Sequence, residues 1–259
     1  MCELLGMSAN VPTDIVFSFT GLMQRGGGTG PHSDGWGIGF YEGKGLRLFH
    51  DPKPSVDSEV ARLVQRYPIK SKVVIGHIRQ ANVGSVELAN THPFVRELWG
   101  RNWCFAHNGQ LADFKPEFSH YTPVGDTDSE AAFCDMLNRI RQRHPKPVDW
   151  EQFLPDLVAA CQHYQSLGVF NCLLGDGQYL FSYCSTKLAH ITRRAPFGAA
   201  RLKDADLNVD FQAVTSDKDV VTVIATEPLT ANEHWHIYQP GQWLLWRDGE
   251  IIAGNTTTK

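Results

Sequence analysis

The sequence predicts an α+β fold in which antiparallel sheets are covered by helices. Three observations carry that expectation. Strand-like and helical segments come in mixed order: strands, then two adjacent helices, then strands again. Asp176-Gly177 and Asp248-Gly249 each lie between two apolar runs, as hairpin turns do. No linker-like stretch divides the 259 residues, so residues 1–259 read as one domain.

Taken in order, "CELLGMSA" reads as a short strand leading into a turn. Ile15, Val16, Phe19, Leu22 and Met23 recur at helical spacing, and the glycines after Arg25 stop that helix. "GWGIGFYEGKGLRLFHD" reads as a hairpin with a glycine turn. "VDSEVARLVQRYP" reads as a short amphipathic helix with Val60, Leu63, Val64 and Tyr67 on its apolar side. "KVVIGHIRQA" and "NWCFAHNG" are apolar runs ending in polar residues, the pattern of strands that deliver side chains to a site. "TDSEAAFCDMLNRIRQR" begins with a capping box, Thr127 and Glu130, and buries Phe133, Met136, Leu137 and Ile140. A second long helix follows at "VDWEQFLPDLVAACQHYQSL", with Pro155 marking a kink or its first turns. The hairpin "FNCLLGDGQYLFSYC" and strands in "AVTSDKDVVTVIATEPL" and "QWLLWRDGEIIAG" complete the order. Trp36, Trp99 and Trp103 are expected in the core.

Composition narrows the function. With 42% hydrophobic and 20% charged residues the chain can bury a large core. The net charge of -4, without a Lys/Arg-rich run, argues against nucleic acid or an anionic membrane as the main partner. No apolar stretch approaches the roughly 18 residues of a membrane helix, and the N-terminus lacks the pattern of a signal peptide. The six cysteines are scattered and form no C-x-x-C pair, so they read as free thiols of a cytoplasmic protein, not as disulfides or a zinc site. No metal or cofactor is expected.

Four polar clusters remain for chemistry: Cys2, "GHIRQAN" at 76–82, "THPF" with "AHNG" at 91–94 and 106–109, and "GDTDSE" at 125–130. A thiol is only a few per cent thiolate at neutral pH. If Met1 is removed, Cys2 carries its own base, an α-amino group of pKa about 7.7–8.0, on the order of 10% neutral at pH 7. A buried structural cysteine is the alternative. Asn108 and the N–H of Gly109 are two donors able to converge on one oxyanion, or simply an Asn-Gly turn. Arg79 at a strand end can clamp a carboxylate, or can be a surface arginine in a salt bridge. Asp128 can face an ammonium, or complement the dipole of the helix it opens. The glycine-rich "QRGGGTGPHSDGWG" suits a lid better than a phosphate cradle, because no Gly-Lys-Ser/Thr follows it.

Together these clusters resemble the class II glutamine amidotransferases, which have the N-terminal-nucleophile hydrolase fold. "MC", "GHIRQAN", "THPF", "AHNG" and "DTDSE" occur in that family's order and spacing. "RGGGTGPHSDGWGIGFYEG" and "IATEPLTANEHW" look like its stand-alone YafJ-like branch. The resemblance implies a four-layer αββα sandwich, two antiparallel sheets between helical layers. It implies that Cys2 is the nucleophile and that Asn108 and Gly109 form the oxyanion hole. It implies that Arg79 binds the glutamine α-carboxylate and Asp128 its α-ammonium, with His92 also on the substrate side. His77, His92 and His107 read as hydrogen-bonding residues and not as metal ligands. Better-known members often carry Trp after the arginine and Thr at the position of Asn82, where this chain has Gln80 and Asn82. The expected substrate is glutamine or a γ-glutamyl amide. The chain is expected to lack the synthase domain of larger members. Ammonia would then go to a partner synthase subunit, or the enzyme is a plain amidohydrolase acting on a larger γ-glutamyl substrate, similar to the γ-glutamyl hydrolase of the ergothioneine pathway. A non-catalytic regulatory protein that keeps the fold is the reading from another class.

Overall fold

Leu5, Met7 and Ala9 lie on one side of β1 (Glu3–Asp14) and Leu4 on the other, each buried in a different core. Such alternation with both faces apolar means a strand covered on both sides. The computed structural model describes residues 2–211 and 216–255 and arranges them as a four-layer αββα sandwich. Its elements run in the following order. After β1 come α1 (Val16–Arg25), β2 (Trp36–Glu42), β3 (Gly45–Asp51), α2 (Glu59–Arg66), β4 (Lys70–Ile78), β5 (Phe94–Leu98) and β6 (Arg101–Leu111). Then α3 (Asp128–Arg143) and α4 (Trp150–Leu167) follow each other directly. The second half is β7 (Gly168–Gly175), β8 (Tyr179–Cys184), β9 (Ala189–Arg194), β10 (Ala199–Arg201), β11 (Asn208–Asp210), β12 (Val220–Ala225), β13 (His236–Ile237), β14 (Gln242–Arg247) and β15 (Glu250–Gly254).

One sheet has seven strands in the order β13-β9-β12-β1-β4-β2-β3. The other has six, β15-β14-β8-β7-β6-β5, and β10 pairs with β11 apart from both. Three cores separate the four layers. Phe19, Leu22, Ala61 and Val64 of α1 and α2 pack on the seven-stranded sheet. Phe133, Leu137, Phe153 and Leu157 of α3 and α4 pack on Phe105, Phe170 and Phe181 of the six-stranded sheet. Between the sheets lie Leu4, Ile75, Ala106, Leu173, Leu180 and Trp246.

Several expectations meet the structure with changes. The first strand extends to Asp14, and its register against β4 shifts between Ser8 and Thr13, where a turn was expected. The capping box of α3 is one-sided: Thr127 Oγ1 accepts from the Glu130 N–H, but the Glu130 carboxylate binds the Gly125 N–H and Arg96. In α2, Ala61 and Val64 are buried while Leu63 and Tyr67 are 56% and 58% exposed. Val60, half-buried, packs on the same core as Ala61 and Val64, and the helix, little more than two turns from its Ser58 cap, ends before Tyr67. Trp36 and Trp103 are buried, whereas Trp99 is half-buried at a positive-φ turn position. Pro155 sits inside α4, in its second turn. The hairpin turns are as expected: Gly177, Asp248 and Gly249 all have positive φ. Of the strand read into "AVTSDKDVVTVIATEPL", Ala213–Thr215 lie outside the described residues, as does Met1.

Candidate active site

Register sets the first neighbours of Cys2. Glu3 pairs with Ile78 of β4, so Cys2 stands beside the residues that follow Ile78, Arg79 and Gln80. The Gln80 N–H donates to Cys2 Sγ at 3.4 Å, and the thiol donates to the Gln80 carbonyl at 3.5 Å. Burial pushes the Cys2 thiol up, against the pull of that N–H and of the Arg79 charge. A thiol raised in this way has little thiolate at neutral pH and needs a base when it attacks. Among the described residues no histidine is hydrogen-bonded to Sγ.

The same alternation brings Asn108 to the layer that Leu4 enters. Cys104 and Ala106 of β6 face the inter-sheet core, while Trp103 and Phe105 face the helices. Asn108 therefore points between the sheets and His107 toward α3. Asn108 is fully buried, and its Nδ2 donates to Thr226 Oγ1 at 3.3 Å. Thr226 Oγ1 also accepts from the Leu4 N–H at 2.8 Å, and the Thr226 N–H donates back to the Leu4 carbonyl. One hydroxyl thus links the strand that carries Cys2 to the side chain of Asn108. The second hydrogen of Nδ2 stays available as a donor. Gly109 is required sterically: a Cβ there would lie 1.7 Å from the Val169 carbonyl oxygen across the β6–β7 ladder.

Arg79 is 2% exposed, and its guanidinium is wrapped by the loop after it. Nη1 donates to the Ser85 carbonyl at 2.9 Å, and Nη2 to Val83 and Gly84 at 3.1 and 3.2 Å. Three of its five donors are thereby used, which leaves two for a ligand carboxylate. Asn90 ties this loop to the start of α3: its Nδ2 donates to the Ser85 carbonyl and to Asp126 Oδ1, and its Oδ1 accepts from the Asp126 N–H. Asp128 lies two residues beyond Asp126, after the Thr127 cap. Its Oδ2 accepts from the Leu111 N–H at 2.7 Å and its Oδ1 from the Ser129 N–H at 2.9 Å. The carboxylate is positioned by backbone donors, and each oxygen keeps a further lone pair.

Three histidines lie behind these groups. His77 Nε2 bonds the His107 carbonyl at 3.1 Å, and the ring nitrogens of His107 meet Ser129 Oγ and the Val169 carbonyl. His92 is 3% exposed, with its ring stacked on His77 at 4.1 Å and packed on Phe94 at 4.3 Å. Neither His92 nitrogen has a partner among the described residues. Burial pushes His77 down to about 3, and holds His92 and His107 below the ordinary imidazole range. All three are neutral at pH 7, so they add no positive charge beside Cys2.

The open side of Cys2 is a cleft of about 460 Å³. The glycine-rich segment expected as a lid forms one wall of it, through Thr29, Gly30, Pro31 and His32. That segment is tied at both ends. Arg25 is paired with Glu3 and Asp204, while the Asp34 N–H donates to the Arg79 carbonyl and Asp34 Oδ2 accepts from the Ala81 N–H.

A buried thiol at a strand start, an Asn-Gly pair across the inter-sheet layer and an arginine at the next strand end were the residues of the sequence-level resemblance. The family profile of the class-II glutamine amidotransferases matches residues 1–259. The chain belongs to that family. It is 60% identical over 255 residues to the Escherichia coli K12 protein YafJ, covering 98% of this chain and 100% of that one. The crystal structure of a predicted glutamine amidotransferase from Pseudomonas aeruginosa PA01 shares 70% identity, with a TM-score of 0.81 over 97% of this chain and 100% of that one. Glutamine phosphoribosylpyrophosphate amidotransferase from Bacillus subtilis superposes with a TM-score of 0.61 at 15% identity, covering 98% of this chain and 49% of that one, and so shares the fold.

Within this family member, the sequence reading missed Thr226 and Asn90. Both act by binding backbone groups of distant segments, and neither belongs to a spacing pattern. For Thr226 the local signals were its place directly after the apolar run of β12 and inside the quoted "IATEPLTANEHW", neither of which points to its partners.

Proposed function

We propose that the protein cleaves the side-chain amide of glutamine through a Cys2 γ-glutamyl thioester, releasing glutamate and ammonia. The observation that carries this reading is the link from the Cys2 strand through Thr226 to Asn108. It supports a nucleophile and an oxyanion donor held on one inter-sheet edge. Removal of Met1 frees the Cys2 nitrogen as an α-amino group, which takes the thiol proton. Cys2 Sγ then bonds the γ-carbonyl carbon, and the oxyanion is met by Asn108 Nδ2 and the Gly109 N–H. The C–N bond breaks, and ammonia leaves with the proton returned by the amine. Water attacks the thioester, and glutamate leaves as the thiol reforms. Arg79, with two free donors, takes the substrate α-carboxylate, and Asp128 takes its α-ammonium. His92 supports the substrate side from behind, through its stack on His77. Residues 1–259 act as one catalytic unit, and a synthase subunit is the natural recipient of the ammonia.

The test is glutamate release from glutamine by purified protein beside Cys2→Ala. Loss of a nucleophile of this kind lowers kcat by about 10⁴-fold or more. Equal rates in the two proteins would refute the thioester.

A further inference from the structure

The groups proposed to meet the oxyanion and the group proposed to hold the α-ammonium sit on different elements, β6 and the start of α3. Two contacts join those elements. At one the Leu111 N–H donates to Asp128 Oδ2 at 2.7 Å. At the other His107 Nδ1 meets Ser129 Oγ at 2.8 Å. Asn108 and Gly109 lie between the two joined positions of β6.

The surroundings of His107 fix which way the second bond runs. Its Nε2 faces the Val169 carbonyl at 3.1 Å, and a carbonyl only accepts. Nε2 therefore carries the ring hydrogen. The ring is neutral at pH 7, so Nδ1 holds a lone pair and the Ser129 hydroxyl donates to it. The His107 carbonyl is engaged as well, by His77 Nε2 at 3.1 Å from the opposite sheet. That carbonyl belongs to the peptide that carries the Asn108 nitrogen. The residue before the Asn-Gly pair is thus held from α3, β7 and β4 at once. His107 is 1% exposed and Ser129 5%, so water competes little for these bonds. Ser129 is not needed to cap α3, because Thr127 does that.

We propose that Ser129 is a positioning residue for the oxyanion hole. Through its bond to His107 it sets the strand segment that presents Asn108 and Gly109, and ties the aim of those two donors to the helix start that presents Asp128. A substrate held at Asp128 then lies in a fixed relation to the donors that meet its carbonyl. The inference rests on the thioester reading above. Ser129 touches no reacting atom and keeps its proton throughout. Its effect belongs to the transition state, where the oxyanion forms, and not to ground-state binding.

The experiment measures kcat and KM for glutamine in the wild-type protein, Ser129→Ala, Ser129→Thr, Asn108→Ala and the double variant Asn108→Ala/Ser129→Ala. Ser129→Ala is expected to lower kcat about tenfold, the effect of a slightly displaced donor, with KM within about twofold. Ser129→Thr keeps the hydroxyl and restores kcat. In the Asn108→Ala background the serine substitution costs less than it does alone, because one donor it aims is already gone. If hydrolysis is Cys2-dependent but Ser129→Ala leaves kcat unchanged, the inference is overturned and the thioester stands. A change confined to KM, a threonine that fails to restore kcat, or an undiminished loss in the Asn108→Ala background also overturns it. If the wild-type protein yields no Cys2-dependent glutamate, both readings fall together.

Discussion

Asn108 is buried behind the cleft at Cys2, whereas Lys187, Lys203 and Glu227 stand exposed on its rim, and Thr226, itself buried, lines the cleft and bonds Asn108. On the buried side the polar groups are joined to backbone atoms: Thr226 to Leu4, Asp128 to Leu111 and Ser129, Arg79 to the carbonyls of residues 83–85. Leaving such a group unpaired costs about 1–3 kcal/mol, and among the described residues Asn108 Oδ1, His77 Nδ1 and both His92 nitrogens are the buried polar atoms here without a partner. On the open side the rim is ionic and solvated, where an ion pair is worth about 0–1 kcal/mol. The buried side is held by fixed partners and the rim by exchangeable ones.

The comparison can be broken by substitutions on the buried side. Asn108→Ala removes one oxyanion donor and is expected to lower kcat by about 10²–10³-fold, with KM little changed. Steady-state kinetics on glutamine should place the loss in kcat, because the donor serves the oxyanion and not the bound ground state. An unchanged kcat would remove Asn108 from the oxyanion hole.

Thr226→Val has a smaller expected effect. The Leu4 N–H and Asn108 Nδ2 lose their shared acceptor, which costs about 1–3 kcal/mol in chemical denaturation. A displaced donor lowers kcat by about tenfold. Thr226→Ser keeps the hydroxyl and should restore both. Failure of serine to restore kcat would assign Thr226 a packing role only.

An effect of similar size is expected from pH. His77 is held neutral by burial, its pKa pushed down to about 3 in the folded protein, against about 6.5 in an unfolded chain. Below about pH 6.5 the unfolded state binds a proton that the folded state refuses. Stability from this group is therefore complete above that pH and falls as pH drops toward 3, by at most about 1.4 kcal/mol per unit. Urea titrations at pH 7 and pH 5 should show that fall, and His77→Gln should reduce it. An unchanged slope in the variant would remove His77 from the account.

Much of this was legible in the sequence, for identifiable reasons. The Asp-Gly turns predicted two hairpins because few residues other than glycine and aspartate tolerate the positive φ found at Gly177, Asp248 and Gly249. Cys2, Arg79, Asn108 and Asp128 stood out as polar residues beside apolar runs or at a helix start, while the roles expected of them came from the family resemblance. What was not legible depends on distant partners. Thr226 matters through Leu4 and Asn108, far away in the chain. The capping box of α3 stays half-formed because Arg96 and Gly125 draw the Glu130 carboxylate away. The strand β5 was hidden behind the polar cluster before it, and the exposure of Leu63 and Tyr67 follows from where α2 ends.

The central claim is that Cys2, freed of Met1, is a nucleophile for a γ-glutamyl carbonyl. Intact-mass measurement of the purified protein before and after a glutamine-analogue electrophile tests it most directly. The account predicts a chain lacking Met1 that gains one adduct, mapped to Cys2 by peptide fragmentation and absent from Cys2→Ala. Active protein that retains Met1, or an adduct on another cysteine while Cys2 stays free, would contradict it.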